Sequence, residues 1–471
     1  MLSLHDTALG RVTEIVTRDE GKLAMYVCGP TVYDVPHLGH GRSALVYDVL
    51  RRWLEARGTR VRHVSNVTDV DDKIIQRAAE ERRSAGEVAE ENEQVWWDAM
   101  DRLGVLRPTV APRATEYVAQ MIEAVAKMVE EEHAYATDFG VYFASEKVAD
   151  YGLLARQSLS SLKIGARVER DPTKRSPVDF VLWKRAKPGE PAWSSPWGSG
   201  RPGWHTECVV MSLDLLGDDF DLHSGGLDLQ FPHHENERAQ AAALGRPFAR
   251  HWVHHAFVEL AGEKMSKSSG NYTSLVDLLD SADERAFRLL VLQSHYRSPL
   301  EVTAETIAAA ESSLARLDAM ARRLGAGDGL ALAPVRLAAS SAEPMSRGGV
   351  DIVKHVERFN ARMEDDLDTP AAISEVFDLV RAANAAAEAG EVVRASSMAS
   401  VASSLLASVG LMLKAASGEV DAISEDLLAR REAARREKDF ALADSLRDEL
   451  LARGWIVEDL PTGSKLRRSH Q

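Results

Sequence analysis

Apolar positions change period several times along the chain, and each change marks an element. Residues 23–27 are a short apolar stretch, a Gly/Pro turn follows, and Val46, Val49, Leu50, Trp53 and Leu54 then recur at helical spacing. A second β-like stretch at residues 60–65 completes a strand, helix and strand, which predicts a βαβ unit with a right-handed crossover in a parallel α/β sheet. The pattern is helical over residues 88–136 and strand-like over 138–143. Residues 150–204, rich in Gly, Pro and Ser and carrying Trp183, Trp193, Trp197 and Trp204, read as an irregular insertion. Strand signals resume at residues 220–222 and 252–260, with Ala261-Gly262 as a turn, so the α/β domain is split. From about Leu275 to residue 415 the pattern is helical, interrupted by a Gly-, Ala-, Ser- and Pro-rich connection at residues 325–349. A charged helix at residues 425–453, a short apolar stretch at 455–457 and a Pro-Thr-Gly turn form a small last module.

A length of 471 residues is ample for about three domains, and 45% hydrophobic with 27% charged residues is a globular composition. The start carries no signal-peptide pattern and no run approaches 18 consecutive apolar residues, so a cytoplasmic protein with no membrane partner is expected. Two cysteines exclude a disulfide framework. A net charge of −15 argues against overall attraction to nucleic acid, without excluding a local basic face.

Three groups of residues carry chemistry. The first is the turn after the opening strand, Cys28 to Asp34, leading to His37-Leu38-Gly39-His40 at a helix start. Backbone N–H groups and the positive helix end meet phosphates at such turns, Gly39 permits close approach, and two histidines can hydrogen-bond phosphate oxygens. The second is Lys264-Met265-Ser266-Lys267-Ser268, whose two lysines in a small-residue loop suit a clamp on a polyphosphate. Each alone is equally well an ordinary exposed turn or loop; together, in this order, they point to nucleotidyl transfer. The third joins Cys28 and Cys208, 180 residues apart, with His233 and Glu237, four apart on a helix expected to begin near Pro232. Two thiolates, an imidazole and a carboxylate make a tetrahedral zinc set, although spacing alone favours inert buried cysteines and a surface His/Glu pair.

The strings CGPTVYD, HLGH, NVTDVDDKI (residues 66–74), DFVLWK (179–184), GRPGWHTEC (200–208), DLQFPHHENE (228–237) and KMSKS, with the terminal KDFALADSLRDEL and GWIVED, closely resemble the cysteinyl-tRNA synthetases over essentially the whole chain. This resemblance implies a class I aminoacyl-tRNA synthetase: a Rossmann-type parallel-sheet catalytic domain split by an insertion, then an α-helical domain and a small C-terminal module. The implied boundaries are a first catalytic half at 1–115, the connective insertion at 116–204, the second half with KMSKS at 205–275, a stem-contact segment at 276–318, a helical bundle at 319–422 and an anticodon-binding module at 423–471. It implies Cys28, Cys208, His233 and Glu237 as ligands of one zinc ion that selects the substrate thiolate, which leaves no need for an editing domain. His37, Gly39, His40 and Lys267 would bind ATP with Mg²⁺. Of these, His37, His40 and Lys267 would serve catalysis together with Lys264. Thr68, Trp204, His205 and Asp228 would form the substrate pocket. Leu38 stands for the usual isoleucine, and Ser224-Gly225-Gly226 for three glycines.

Over residues 429–471 ten Lys/Arg face eight Asp/Glu, a slight positive balance in an acidic chain. A solvated helix has the same composition, but the resemblance implies anticodon reading by Arg435, Phe440, Asp444, Arg447 and Asp459. The expected partners are tRNA(Cys), ATP and L-cysteine, and the expected assembly a monomer. One rival is a shorter cysteine ligase of the mycothiol pathway, which needs no anticodon reader. The other is a catalytically silent RNA-binding homologue with a purely structural zinc, which intact HLGH and KMSKS disfavour.

Overall fold

The computed structural model describes residues 2–157, 173–259, 274–326, 352–414, 422–460 and 463–468. Its centre is a four-stranded, fully parallel sheet. The strands are β3 (Lys22–Val27), β4 (Arg60–Ser65), β9 (Leu222–Gly226) and β10 (His251–His255), in the order β10-β9-β3-β4. The chain leaves β3 through helix α1 (Leu38–Ala56) to β4 on one side and returns much later as β9 on the other. The carboxyl end of β3 is therefore a topological switch point, where open α/β sheets bind ligands. The predicted βαβ unit is present with bounds within a residue at both strands: β3 is a nearly continuous apolar run buried on both faces, and β4, at the sheet edge, alternates exposed Arg60 and Arg62 with buried Val61 and His63. Two short strands that the apolar pattern does not signal, β1 (Ser3–Asp6) and β2 (Arg11–Glu14), form an antiparallel ribbon at the start.

The region between β4 and β9 departs from its sequence reading. The stretch expected to be helical over 88–136 is two helices, α3 (Ala85–Arg102) and α4 (Val118–Glu130), preceded by α2 (Asp72–Glu81), and residues 134–137 already belong to a strand. The stretch read as irregular contributes β7 (Phe180–Arg185) and β8 (Gly200–Pro202). They join β5 (Ala134–Thr137) and β6 (Gly140–Phe143) in an antiparallel sheet of order β5-β6-β7-β8. Its short strands are bounded by Gly and Pro, so composition hides them, while buried Leu182 and Trp183 show that β7 packs as core.

Helix α5 (Trp204–Leu216) leads into β9, and α6 (Glu235–Ala243) follows it after a bend of non-helical geometry at Phe231. After the two-residue strand β11 (Val258–Glu259), which pairs in parallel with β12 (Leu300–Glu301), the chain is helical: α7 (Leu275–Ser281), α8 (Glu284–Leu292), α9 (Ala304–Leu324), α10 (Ile352–Glu364), α11 (Thr369–Glu388) and α12 (Val392–Ser408). One continuous core runs from β3 and α1 into these helices. At the junction the buried Arg288 guanidinium donates to Asp48 of α1 at 2.5 Å, to the carbonyls of Leu103 and Gly104 at 3.0 Å and to that of Val409 at 3.3 Å.

The expected charged helix at 425–453 is two helices, α13 (Ala422–Arg436) and α14 (Phe440–Ala452), because Lys438 takes a left-handed φ of 63° between them. They pack on a hairpin of β13 (Trp455–Leu460) and β14 (Gly463–Arg468) around Leu427, Leu446, Leu450, Trp455 and Leu466, a core of their own. Among the described residues no helix is long and apolar enough to cross a membrane.

Candidate active site

Cys28 is the first residue past β3, and Gly29 turns the chain immediately beside Asn66. A Cβ at Gly29 would lie 1.6 Å from the Asn66 carbonyl oxygen, so only glycine fits, and the Gly29 N–H donates to Asn66 Oδ1 at 2.9 Å. The backbone of Thr68 continues the clamp, donating from N to the Pro30 carbonyl at 2.9 Å and accepting from Val32 N at 3.2 Å. His37 then caps α1. His37 Nδ1 accepts from His40 N and His40 Nδ1 from His37 N, both at 3.2 Å, with the rings stacked 3.5 Å apart. Burial lowers the pKa of His37 and pushes His40 down to about 3, so at neutral pH both rings are uncharged hydrogen-bonding groups.

These residues line a cavity of about 560 Å³ at the switch point, with Cys28, Tyr33, Gly39, Lys73, Trp96, Trp204 and Asp228 in its wall. His37, Gly39, His40, Cys28, Trp204 and Asp228 thus meet as the sequence suggested. Thr68 and His205 stand one layer behind. Thr68 Oγ1 donates to buried Glu207 at 2.7 Å, and the His205 ring lies 2.8 Å, Nδ1 to Nδ1, from that of His233. Lys264 and Lys267, like the Ala261-Gly262 turn, lie outside the described residues. Tyr33, Lys73 and Trp96 were not anticipated; Lys73 sits inside the NVTDVDDKI string, the one signal that could have named it.

At one end of the cavity Cys28 meets residues from α5, the bend and α6. The separations are 3.7 Å for Cys28 Sγ to Cys208 Sγ, 3.6 Å for Cys208 Sγ to His233 Nε2, 3.5 Å for Cys28 Sγ to Glu237 Oε1 and 3.0 Å for His233 Nε2 to Glu237 Oε1. A tetrahedral zinc with the usual bond lengths has ligand atoms about 3.3 to 3.8 Å apart, so three of these separations match that ion and the His233–Glu237 pair would open by a few tenths of an ångström to admit it. Burial raises both thiol pKa values, and a divalent cation is what would make two thiolates tolerable here. A second grouping, Cys28 with His223, His234 and Glu237, shares two of these residues. It fits less well, because His223 Nε2 lies 2.7 Å from Glu237 Oε2, a hydrogen bond too short for two ligands of one ion; His234 Nε2 lies 3.3 Å from Cys28 Sγ, with Nδ1 held by His254 Nε2 at 2.7 Å. His223 and His234 are thus the residues sequence reasoning passed over. Neither neighbours Cys28 or Cys208 in sequence, and only the sheet and the bend bring them together.

The proposed RNA contacts are spread over the terminal module. Phe440, the first residue of α14, is 63% exposed. Asp444 and Arg447 pair with each other at 3.6 Å on exposed positions. Asp459 on β13 is already engaged, by Arg435 at 2.6 Å, by Arg431 at 2.8 and 3.0 Å and by the Ser464 hydroxyl at 2.7 Å.

Comparison with known proteins adds three family profiles: "tRNA synthetases class I (C) catalytic domain" at residues 14–312, "DALR domain" at 358–414 and "Cysteinyl-tRNA ligase anticodon binding domain" at 417–467. Similar curated proteins include the cysteine–tRNA ligase of Alkalilimnicola ehrlichii, 43% identical over 99% of this chain and 100% of its own. That of Clavibacter michiganensis subsp. michiganensis is 44% identical over 98% of both. Among solved structures, Mycobacterium tuberculosis methionyl-tRNA synthetase in complex with methionyl-adenylate superposes with a TM-score of 0.61 over 82% of this chain and 91% of its own, at 16% identity, a likeness of fold.

Proposed function

The chain belongs to the cysteine–tRNA ligases, class I aminoacyl-tRNA synthetases, and from that premise we propose how its residues divide the work. The substrates are L-cysteine, ATP and tRNA(Cys), the intermediate is cysteinyl-adenylate, and the acceptor is the 3′-terminal adenosine. The observation that carries this reading is the donor set of Cys28, Cys208, His233 and Glu237, whose Cys28 lines the same cavity as His37 and His40.

Bound zinc supplies a thiophilic Lewis acid that takes the substrate thiolate and has far less affinity for a serine hydroxyl, a distinction a steric pocket cannot make. The protein's own part is to hold the four donors. Glu237 is steadied by His223, and His233 by His205 below and by the Trp204 ring stacked at 4.0 Å. His37, Gly39 and His40 orient the ATP phosphates at the start of α1, with Mg²⁺ accompanying the nucleotide. Lys264 and Lys267 neutralise charge developing on the α-phosphate and leaving pyrophosphate. Asp228, in the cavity wall, would hold the substrate ammonium. The module from residue 423 onward reads the anticodon, with Phe440 as the stacking aromatic and Arg435, Asp444, Arg447 and Asp459 as polar contacts.

The test is cysteine-dependent ATP–pyrophosphate exchange alongside zinc analysis of the purified protein. One zinc per chain, exchange with cysteine and none with serine, and charging of tRNA(Cys) are expected. Full zinc loss in Cys28→Ser with cysteine activation unchanged would overturn the metal assignment. Charging of an aminosugar such as glucosaminyl-inositol without charging of tRNA would overturn the acceptor.

A further inference from the structure

Arg42 is a buried guanidinium in the first turns of α1, only 1% exposed, and the partners found for it are backbone carbonyls rather than a carboxylate. Nη1 donates to the Phe257 carbonyl at 2.5 Å. Nη2 donates to the carbonyls of His295 and Tyr296 at 3.3 Å and to that of Ser298. Burying a guanidinium is expensive, and these carbonyls are what offsets the cost. They belong to two segments that also pair with each other, Ala256 N donating to Tyr296 O at 2.9 Å and Leu300 N to Phe257 O at 3.0 Å, next to the β11–β12 pair.

The position of this frame gives the contact its meaning. Phe257 lies directly before Val258 and Glu259, the last described residues ahead of 260–273, the stretch that contains Lys264 and Lys267. The chain resumes at Ser274, and Leu275 N donates to the Pro36 carbonyl at 2.9 Å, one residue before the His37 cap. A Cβ on Gly41 would meet Phe287 at 2.9 Å and Leu275 at 3.0 Å, so the downstream end also rests against α1. Both ends of the lysine-bearing stretch are thus anchored on the turn of α1 that carries His37 and His40.

We propose that Arg42 is a positioning residue for adenylate formation: through the Phe257 and Ser298 carbonyls it fixes, relative to the HLGH turn, the point from which the lysine-bearing stretch departs. Gly41 sets the return point by letting Leu275 approach. The inference rests on the proposed role of Lys264 and Lys267. It concerns the geometry of transition-state charge neutralisation, which is lost steeply with small misplacement. Lysine at position 42 keeps the charge but has no fork with which to hold several carbonyls.

The experiment is a double-mutant cycle in the full-length protein, read as kcat and KM in pyrophosphate exchange. Arg42→Lys is expected to lower kcat at least tenfold while KM for cysteine and zinc content stay at the parent values. Arg42→Lys with Lys267→Ala is expected to fall no more than about threefold below Lys267→Ala alone, because both remove the same contact. Gly41→Ala, whose Cβ would press on Phe287 and Leu275, should lower kcat severalfold, and circular dichroism checks that both variants stay folded. Faster hydrogen exchange at residues 256–259 in Arg42→Lys would support the anchor. Multiplicative losses in the cycle, a rise in KM for cysteine, zinc loss, or an unchanged kcat in either Arg42→Lys or Gly41→Ala would overturn it. If Lys267→Ala itself kept full kcat, the role given to the lysines would fail first, and that single variant identifies this outcome.

Discussion

The proposed metal donors at one end of the cavity and the proposed RNA contacts of the terminal module are held in opposite ways. Cys208, His233 and Glu237 are at most 1% exposed, and each hydrogen-bonds or abuts another member of the group, so the site is built before any substrate arrives. In the module, Phe440 is 63% exposed and the polar candidates pair with one another on exposed positions, Asp444 with Arg447 at 3.6 Å and Asp459 with Arg435 at 2.6 Å, so RNA would have to replace those contacts. The first arrangement suits discrimination between small molecules differing by one atom, because misfit cannot be relaxed away. The second suits an extended flexible ligand, where many adjustable contacts add up.

The sharpest break of this contrast is at the donor set. Glu237→Ala is expected to release zinc and to lower kcat/KM for cysteine by about 10²- to 10³-fold, the scale of one well-placed electrostatic group. Metal analysis beside exchange kinetics checks it. The same difference should appear in stability. Arg288→Ala removes one of the two guanidinium partners of buried Asp48, leaving Arg52 at 2.8 Å, and is expected to cost about 1–3 kcal/mol in chemical denaturation. Arg431→Ala breaks a pair whose Asp459 is 46% exposed and should cost only about 0.2–1 kcal/mol. Phe440→Ala should weaken tRNA binding by about 1–3 kcal/mol and leave pyrophosphate exchange untouched. Ending the chain at Lys414 removes the module's separate core and should likewise abolish efficient charging of tRNA while exchange persists.

The smallest effect is a pH ordering. Burial pushes His63, on β4 of the central sheet, down to about 3, so its neutral form belongs to the folded state. The unfolded chain then binds the extra proton below about pH 6.5, and the stability this burial holds at neutral pH is lost progressively from there toward pH 3. Asp459 is depressed chiefly by its hydrogen bonds from Arg431, so its contribution is intact above the ordinary carboxylate value and falls only as pH drops below about 4. Hydrogen exchange followed from pH 7 to 4 should show the sheet region loosening before the module; the reverse order would contradict the assignment.

Much of this was legible in the sequence where a buried element wrote a clean pattern. Strand β3 and helix α1 could be placed because an apolar run and helical spacing persist over several residues, and β4 because its polar and β-branched positions interleave. The antiparallel sheet of the insertion was not, since a strand as short as Gly200–Pro202 has no period to read. The single helix inferred at the end failed at Lys438, whose left-handed backbone leaves no mark in hydrophobic spacing. At the site, motif strings brought out Cys28, Cys208, His233 and Glu237. The positions of His223, Thr68 and His205 behind them depend on strand order and side-chain direction, which only the fold supplies.

One strand-turn-helix carries both Cys28 and His37, nine residues apart and facing the same cavity. Such a unit is a ruler. With sulfur held at one mark and the nucleotide at the other, the carboxylate must span a fixed length, so a thiol one methylene longer than cysteine would bind its sulfur correctly and present its carboxylate out of place. The metal would welcome homocysteine; the length of the turn would turn it away, by the 1–3 kcal/mol or so that one methylene commands.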